Sequence, residues 1–305
     1  MDILIGKIKQ KNNPTVVGLD PLLDYVPNFI KQKAFKEYGK NFEGASNAIL
    51  EYNKGLIDNL YDIVPAVKPQ SAYYEMYGYE GVKALYETIK YAKEKGLYVI
   101  ADIKRNDIGS TAQAYAKAYL GKTQIENESL SAFNADSITV NGYLGVDGIT
   151  PFINECKQYD KSMFILVKTS NHSSGELQDL MLNDNDKVYI KMAKLVENWG
   201  KDTIGKHGYS QVGAVVGATY PEQLKELRQK FKNMFFLVPG YGAQGGGASD
   251  VAFSFDSNGL GAIINSSRAI SCAYKKENCS EQDFAGVARR EALKMKKELN
   301  EVLMG

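Results

Sequence analysis

Histidine, tryptophan and cysteine are scarce in this 305-residue chain, which holds two, one and three of them. With only His172 and His207, a histidine-based metal centre or a serine–histidine nucleophile lacks raw material. The cysteines, Cys156, Cys272 and Cys279, are odd in number and have no Cys-x-x-Cys spacing. Neither a disulfide framework nor a zinc site is expected, and they read as reduced and structural. Net charge is lacking as well. With 37 Lys and Arg against 36 Asp and Glu, the formal charge is +1, so no global field favours nucleic acid or anionic lipid, and any anion site must be local. No stretch approaches the roughly 18 apolar residues of a membrane span, and the start, MDILIGKIKQKNNP, is too charged for a signal peptide. The expectation is a cytoplasmic chain with neither a nucleic-acid nor a membrane partner.

What is present is ordinary for a globular protein: 44% apolar and 24% charged residues, enough to bury a full-sized core. Short β-branched and apolar runs recur at 15–20, 64–70, 97–104, 136–141, 162–170, 211–219, 234–240 and 260–267, and read as eight strands. Helical patterns lie between them at 47–61, 79–96, 188–201 and 220–231, with Gly96 a C-cap for the second and a last amphipathic helix over 280–303. Parallel strands need crossover connections, so the alternation predicts a parallel sheet flanked by helices, and eight repeats predict closure. The fold class is α/β, a (β/α)8 TIM barrel forming one domain over 1–305 with insertions near 21–46, 120–135 and 170–187. An open doubly wound sheet would usually carry Gly-x-Gly-x-x-Gly after its first strand, where this chain has VGLDP.

A barrel places its chemistry at the carboxyl ends of its strands. There Asp20 ends strand 1, Lys68 strand 2, Asp102 and Lys104 strand 3, and Lys168, Thr169 and Ser170 strand 5. Charges at such positions are costly unless paired or used. In ADIKRNDIGST (101–111), Asp102 and Lys104 are two apart on a strand and share a side. Asp107 has left the strand and can reach across the mouth or toward another subunit. A buried salt bridge is the plain alternative, but Lys68 and Asp20 on the same rim favour a charged substrate.

The second constellation is VPGYGAQGGGASD (238–250) after strand 7, followed by INSSRAI (264–270) at the end of strand 8. Loops after strands 7 and 8 are where barrels bind phosphate, and Arg268 supplies a bidentate cation. The glycines also suit a mobile lid. The tyrosine-rich SAYYEMYGYEG (71–81) reads as packing, His172 as an ordinary loop residue and Trp199 as helix packing.

ADIKRNDIGST resembles the Asp-x-Lys-x-x-Asp signature of the orotidine 5'-monophosphate decarboxylase family. VGLDP, AVKPQSAYYE, SITVNGYLG, LVKTSN, VVGAT, VPGYGAQGG and the strand 8 arginine follow in the family's order, across nearly the whole chain and in the manner of its longer subtype. The resemblance implies a cofactor-free, metal-free enzyme acting on orotidine 5'-monophosphate, with Lys104 stabilising a C6 carbanion and then protonating it. It implies that Lys68, Asp102 and Lys104 of one subunit join Asp107 of its partner in a homodimer. It further implies that Asp20 and Lys68 hold ribose hydroxyls, with Thr111 joining from across the interface, that Ser170 contacts the pyrimidine, and that Gln244 and Arg268 grip the phosphate. Ser267 stands where many members have glycine, and His172 follows TSN where a proline is common, so the backbone contact to phosphate at 267 is open.

Two other readings stand beside this one. Related barrels such as hexulose-phosphate synthases share the Asp-x-Lys-x-x-Asp element but resemble magnesium enzymes, and they would want an acidic ligand where AVKPQ has Lys68. A non-catalytic barrel that senses a phosphorylated ligand would not need Asp102 opposed to a substrate carboxylate.

Overall fold

Strands in which both faces are buried must be apolar on both, and that is how the eight runs of this chain read. In the computed structural model, which describes residues 1–242, 245–276 and 279–304, they form β1 Thr15–Leu19, β2 Ala66–Pro69, β3 Tyr98–Arg105, β4 Ser137–Val140, β5 Ser162–Lys168, β6 Val212–Val216, β7 Phe236–Pro239 and β8 Ala262–Ser266. Each pairs in parallel with the next, and β8 pairs with β1, so the barrel closes. Alternate residues of the strands separate into two cores. Val16, Ala66, Ile100, Phe164, Val215 and Ile263 fill the barrel interior, while Val17, Val67, Val99, Ile138 and Ile165 face the surrounding helices.

The longer helices are α1 Asp2–Lys11, α2 Asn28–Tyr38, α3 Phe42–Leu60, α4 Gly78–Glu94, α5 Gly109–Tyr119, α6 Thr150–Tyr159, α7 Val188–Gly200, α8 Pro221–Lys230 and α10 Phe284–Met304, with the short α9 Ala248–Ala252 after β7. The α1 side chains Leu4, Ile5 and Ile8 join the interior core and plug the end of the barrel where the strands begin. The opposite end stays open for chemistry. Asn41 caps α3 by accepting a hydrogen bond from the Gly44 N–H. Gly96, at φ 78°, ends α4 with its N–H on the Lys93 carbonyl, the left-handed stop expected there.

The three long connections carry structure of their own. The first contains α2, the second an antiparallel hairpin of Thr123–Ile125 with Glu128–Leu130, and the third a helical turn at Gly175–Gln178. Among the described residues, no helix is long and apolar enough to cross a membrane.

Candidate active site

Lys68 follows Ala66 by two along β2, and Asp102 follows Ile100 by two along β3, so both inherit the inward direction of the interior core. At the open end their side chains meet, with Lys68 Nζ donating to Asp102 Oδ2 at 2.6 Å. Lys104 Nζ donates to the other carboxylate oxygen, also at 2.6 Å, and the Thr139 hydroxyl donates to that same oxygen at 2.8 Å. One carboxylate therefore bridges two ammonium groups.

The expected pairing of Asp102 with Lys104 is present, but simple alternation does not produce it. The β3–β4 register slips between Ala101 and Arg105, a bulge in which Lys104 takes φ 47°. A left-handed conformation is costly for a residue with a side chain, and such strain concentrates at functional positions. The Lys104 N–H is held by Thr139 Oγ1 at 3.0 Å. Thr139, not anticipated from the sequence, thus grips both the backbone of Lys104 and the carboxylate of Asp102.

Burial pushes the Asp102 carboxyl up, but the Lys68 and Lys104 ammoniums outweigh it and hold the group well below the usual carboxylate range. For Lys68, burial lowers the ammonium while Asp102 and then Asp20 more than restore it, leaving it above its ordinary value. Lys68 and Asp102 are almost wholly enclosed, whereas the Lys104 side chain is 44% exposed. The cluster is an ionised triad whose outermost ammonium is accessible to a ligand.

Lys68 and Asp102 open onto a cavity of about 360 Å³, whose lining includes these two members of the triad but not Lys104. Asp20, Lys68 and Asp102 line one side, and Gly240, Ser267 and Arg268 another. Arg268 is exposed on the rim, with no hydrogen bond or ion pair to another described residue. The loop after β7 folds back on itself, the Gly242 N–H bonding the Gly246 carbonyl at 2.8 Å. Tyr241 lines the cavity while its hydroxyl donates to Glu298 of α10 at 2.5 Å, pinning the base of this loop to the last helix. Gln244 lies outside the described residues.

Two sequence readings need correction. Lys168 ends β5 but does not enter the mouth. A second register slip, between Leu166 and Lys168, sets it beside Val216, which faces the helices. Its ammonium is fully buried there on Asp179 Oδ2 at 2.9 Å and Ser174 Oγ at 3.2 Å, 4.4 Å from the centre of the Tyr220 ring. The tyrosine-rich segment is not all packing either: Tyr74 is fully buried, but Tyr73 lines the cavity beside Asp20 and Lys68. Trp199 does pack against the outer core, and His172 is exposed.

Other site candidates stand farther out. Asp107 accepts a bond from the Ile108 N–H at 2.8 Å, forms no ion pair with a described residue, and is not part of the cavity lining. Thr111 is exposed on the first turn of α5. Ser170 is half-buried outside the cavity lining, and its carbonyl accepts from the Thr219 hydroxyl at 3.2 Å.

The model of the orotidine 5'-phosphate decarboxylase / HUMPS family matches residues 40–282. This chain belongs to that family. An orotidine 5'-phosphate decarboxylase of Caldicellulosiruptor bescii is 44% identical over 283 residues, covering 93% of this chain and 92% of that one. One from Clostridium perfringens is 42% identical over 303 residues, 99% of each. The solved structure of Leishmania donovani OMP decarboxylase superposes with a TM-score of 0.74 at 29% identity, covering all of this chain and 98% of that one.

Proposed function

We propose that this chain decarboxylates orotidine 5'-monophosphate to uridine 5'-monophosphate and carbon dioxide, the last step of UMP biosynthesis, and that Lys104 is its proton donor. Family membership and relatives that bear the decarboxylase name over nearly their whole length support the reaction. The observation that carries the mechanism is the ionised Asp102 held between Lys68 and Lys104 at the floor of a cavity with a free arginine on its rim.

Breaking the bond from C6 to the carboxylate leaves its electron pair on C6, with no adjacent sink. The task is electrostatic, and a preorganised ammonium suits it because the charge is in place before it is needed. Lys104 stabilises the developing carbanion and transfers its proton to C6. Carbon dioxide departs neutral, and the amine regains a proton from solvent. Asp102, kept ionised by its neighbours, faces the substrate carboxylate, and that repulsion vanishes as the carboxylate leaves.

Arg268 and the loop after β7 receive the 5'-phosphate, and Asp20 with Lys68 receives the ribose hydroxyls. Ser170 is assigned to the pyrimidine, and Gln244 joins Arg268 at the phosphate. Asp107 and Thr111 act in trans across a homodimer interface. In favour of that interface, Asp107 precedes the exposed Ile108 (55%), and Tyr143 (76%) and Val146 (51%) stand exposed on the connection from β4 to α6, whose Gly148 lies against the Asp107 carbonyl; this is apolar surface that a second copy would cover. An enediolate reaction of the magnesium type would want an acidic ligand at the end of β2, and the residue there is Lys68, already bonded to Asp102.

The test is incubation of the folded chain with orotidine 5'-monophosphate in excess chelator, with chromatographic detection of uridine 5'-monophosphate. Stoichiometric product is the expected result. A folded, dimeric chain that yields none overturns the assignment.

A further inference from the structure

At the cavity floor, one buried polar side chain is not used by this mechanism. Asn265 lies two residues beyond Ile263 on β8, and alternation points it into the barrel as it points Ile263. It sits between β1 and β7, in register with Val16 and Pro239, and is only 6% exposed. Its amide nitrogen donates to Ser267 Oγ at 3.3 Å, while its Oδ1 is buried without a partner. Room for both side chains comes from Gly18 on β1: a Cβ there would lie 1.9 Å from Ser267 Oγ and 3.2 Å from Asn265 Oδ1.

A buried acceptor without a partner costs about 1–3 kcal/mol, and in native structures such an atom calls for an explanation. Asn265 lines the same cavity as Asp20, whose Oδ1 is likewise buried and unpaired. One orphaned oxygen stands just beyond the end of β1 and the other on the neighbouring β8, between the Lys68 end of the cavity and the Arg268 rim. Acceptors placed there want a ligand's donors. In a ribonucleoside 5'-phosphate whose phosphate lies on Arg268, the donors along that span are the ribose hydroxyls.

Resting on the function proposed above, we infer that Asn265 is a substrate-binding residue whose Oδ1 accepts a hydrogen bond from one ribose hydroxyl, with Ser267 holding the amide in the orientation that presents it. Asn265 thereby discriminates the ribonucleotide from the analogue that lacks the bonded hydroxyl. Ser267, where the family resemblance expects glycine, acts as its positioning residue.

The experiment is calorimetric binding of uridine 5'-monophosphate and of its 2'-deoxy and 3'-deoxy analogues to the wild type, Asn265→Leu and Asn265→Ala. Removal of one such bond is expected to weaken uridine 5'-monophosphate about 5- to 30-fold in both variants. For one deoxy analogue, the variants and the wild type should bind equally, because the bonded hydroxyl is already gone. Equal losses for all three nucleotides, or no loss for any, overturn the inference. Melting curves confirm that each variant is folded, and the smaller alanine variant serves where leucine does not fit. Failure of the wild type to bind uridine 5'-monophosphate at all would instead count against the proposed function.

Discussion

Replacing Asp102 by asparagine removes one charge and almost no volume, so its cost isolates the electrostatics of the triad. The Lys68 ammonium it abandons is almost wholly buried, with 6% of its side chain exposed, and has Asp20 as its remaining negative neighbour. Breaking a buried pair in this way typically costs about 3–5 kcal/mol, because the partner charge stays desolvated. The Lys104 side chain is 44% exposed, so solvent screens it and its arm adds little to the loss. With an unfolding entropy of about 2.1 cal/mol/K per residue over 305 residues, the loss corresponds to a fall in Tm of about 5–8 °C.

The pH dependence has a definite sign. Asp102 is held below its ordinary value, so its contribution is present above the unfolded carboxylate value of about 3.9 and is lost as pH falls. Lys68 is raised, so its contribution is complete below the unfolded value of about 10.4 and is lost as pH rises through the folded one. In Asp102→Asn burial dominates Lys68 and lowers it, so the penalty is full at neutral pH and shrinks as the lysine neutralises. Scanning calorimetry of both proteins at pH 7 and at about pH 9.5 should therefore show the Tm gap narrowing at the higher pH. A gap under about 1 °C at neutral pH, or one that does not depend on pH, would refute this account of the triad.

Arg268→Ala removes the rim cation, and the loss of a charge-assisted bond of about 1.5–3 kcal/mol should raise KM roughly 10- to 150-fold with the melting temperature unchanged. An unchanged KM places the phosphate elsewhere. Orotidine without its phosphate should turn over far more slowly even at saturation, since remote binding energy then no longer organises the loop after β7. Equal kcat would contradict that role. If Asp107 acts in trans, mixing inactive Lys104→Ala and Asp107→Ala subunits should restore about a quarter of wild-type activity, because random C2 pairing leaves half the dimers with one intact site. No recovery after verified subunit exchange places Asp107 in its own subunit's site. Lys168→Met, which removes a buried ammonium remote from the cavity, should lower stability but leave the KM of the folded fraction unchanged, and a large rise in KM would contradict its structural role.

The eight strands are legible because their apolar runs are short, β-branched and regularly spaced, and the structure places a strand at every one of them, β3 running one residue past its run to Arg105. Four of the longer helices, α1, α2, α5 and α6, and the short α9 lie outside the helical patterns read from the sequence. Helix α1 carries Gly6 and several lysines yet is held by burying Leu4, Ile5 and Ile8 in the barrel floor, a tertiary effect invisible to local periodicity. The charged triad could be anticipated from strand-end positions, since its members converge from neighbouring strands of a closed barrel. The two bulges could not, because a register slip depends on the partner strand. Strand-end position alone therefore puts Lys168 at the mouth although it faces the helices, and it gives no sign of Thr139, which fixes the Lys104 bulge. Tyr73 lies in a segment whose neighbouring tyrosine, Tyr74, is core, and only the backbone path separates the two.

The most direct test of the central claim is the loss of orotidine 5'-monophosphate ultraviolet absorbance in the presence of chelator, followed for the wild type and for Lys104→Ala. The account predicts metal-independent turnover by the wild type and none above background by the variant, with both equally folded and dimeric. Turnover by the variant at a rate near the wild type's would remove Lys104 from the chemistry and contradict the account.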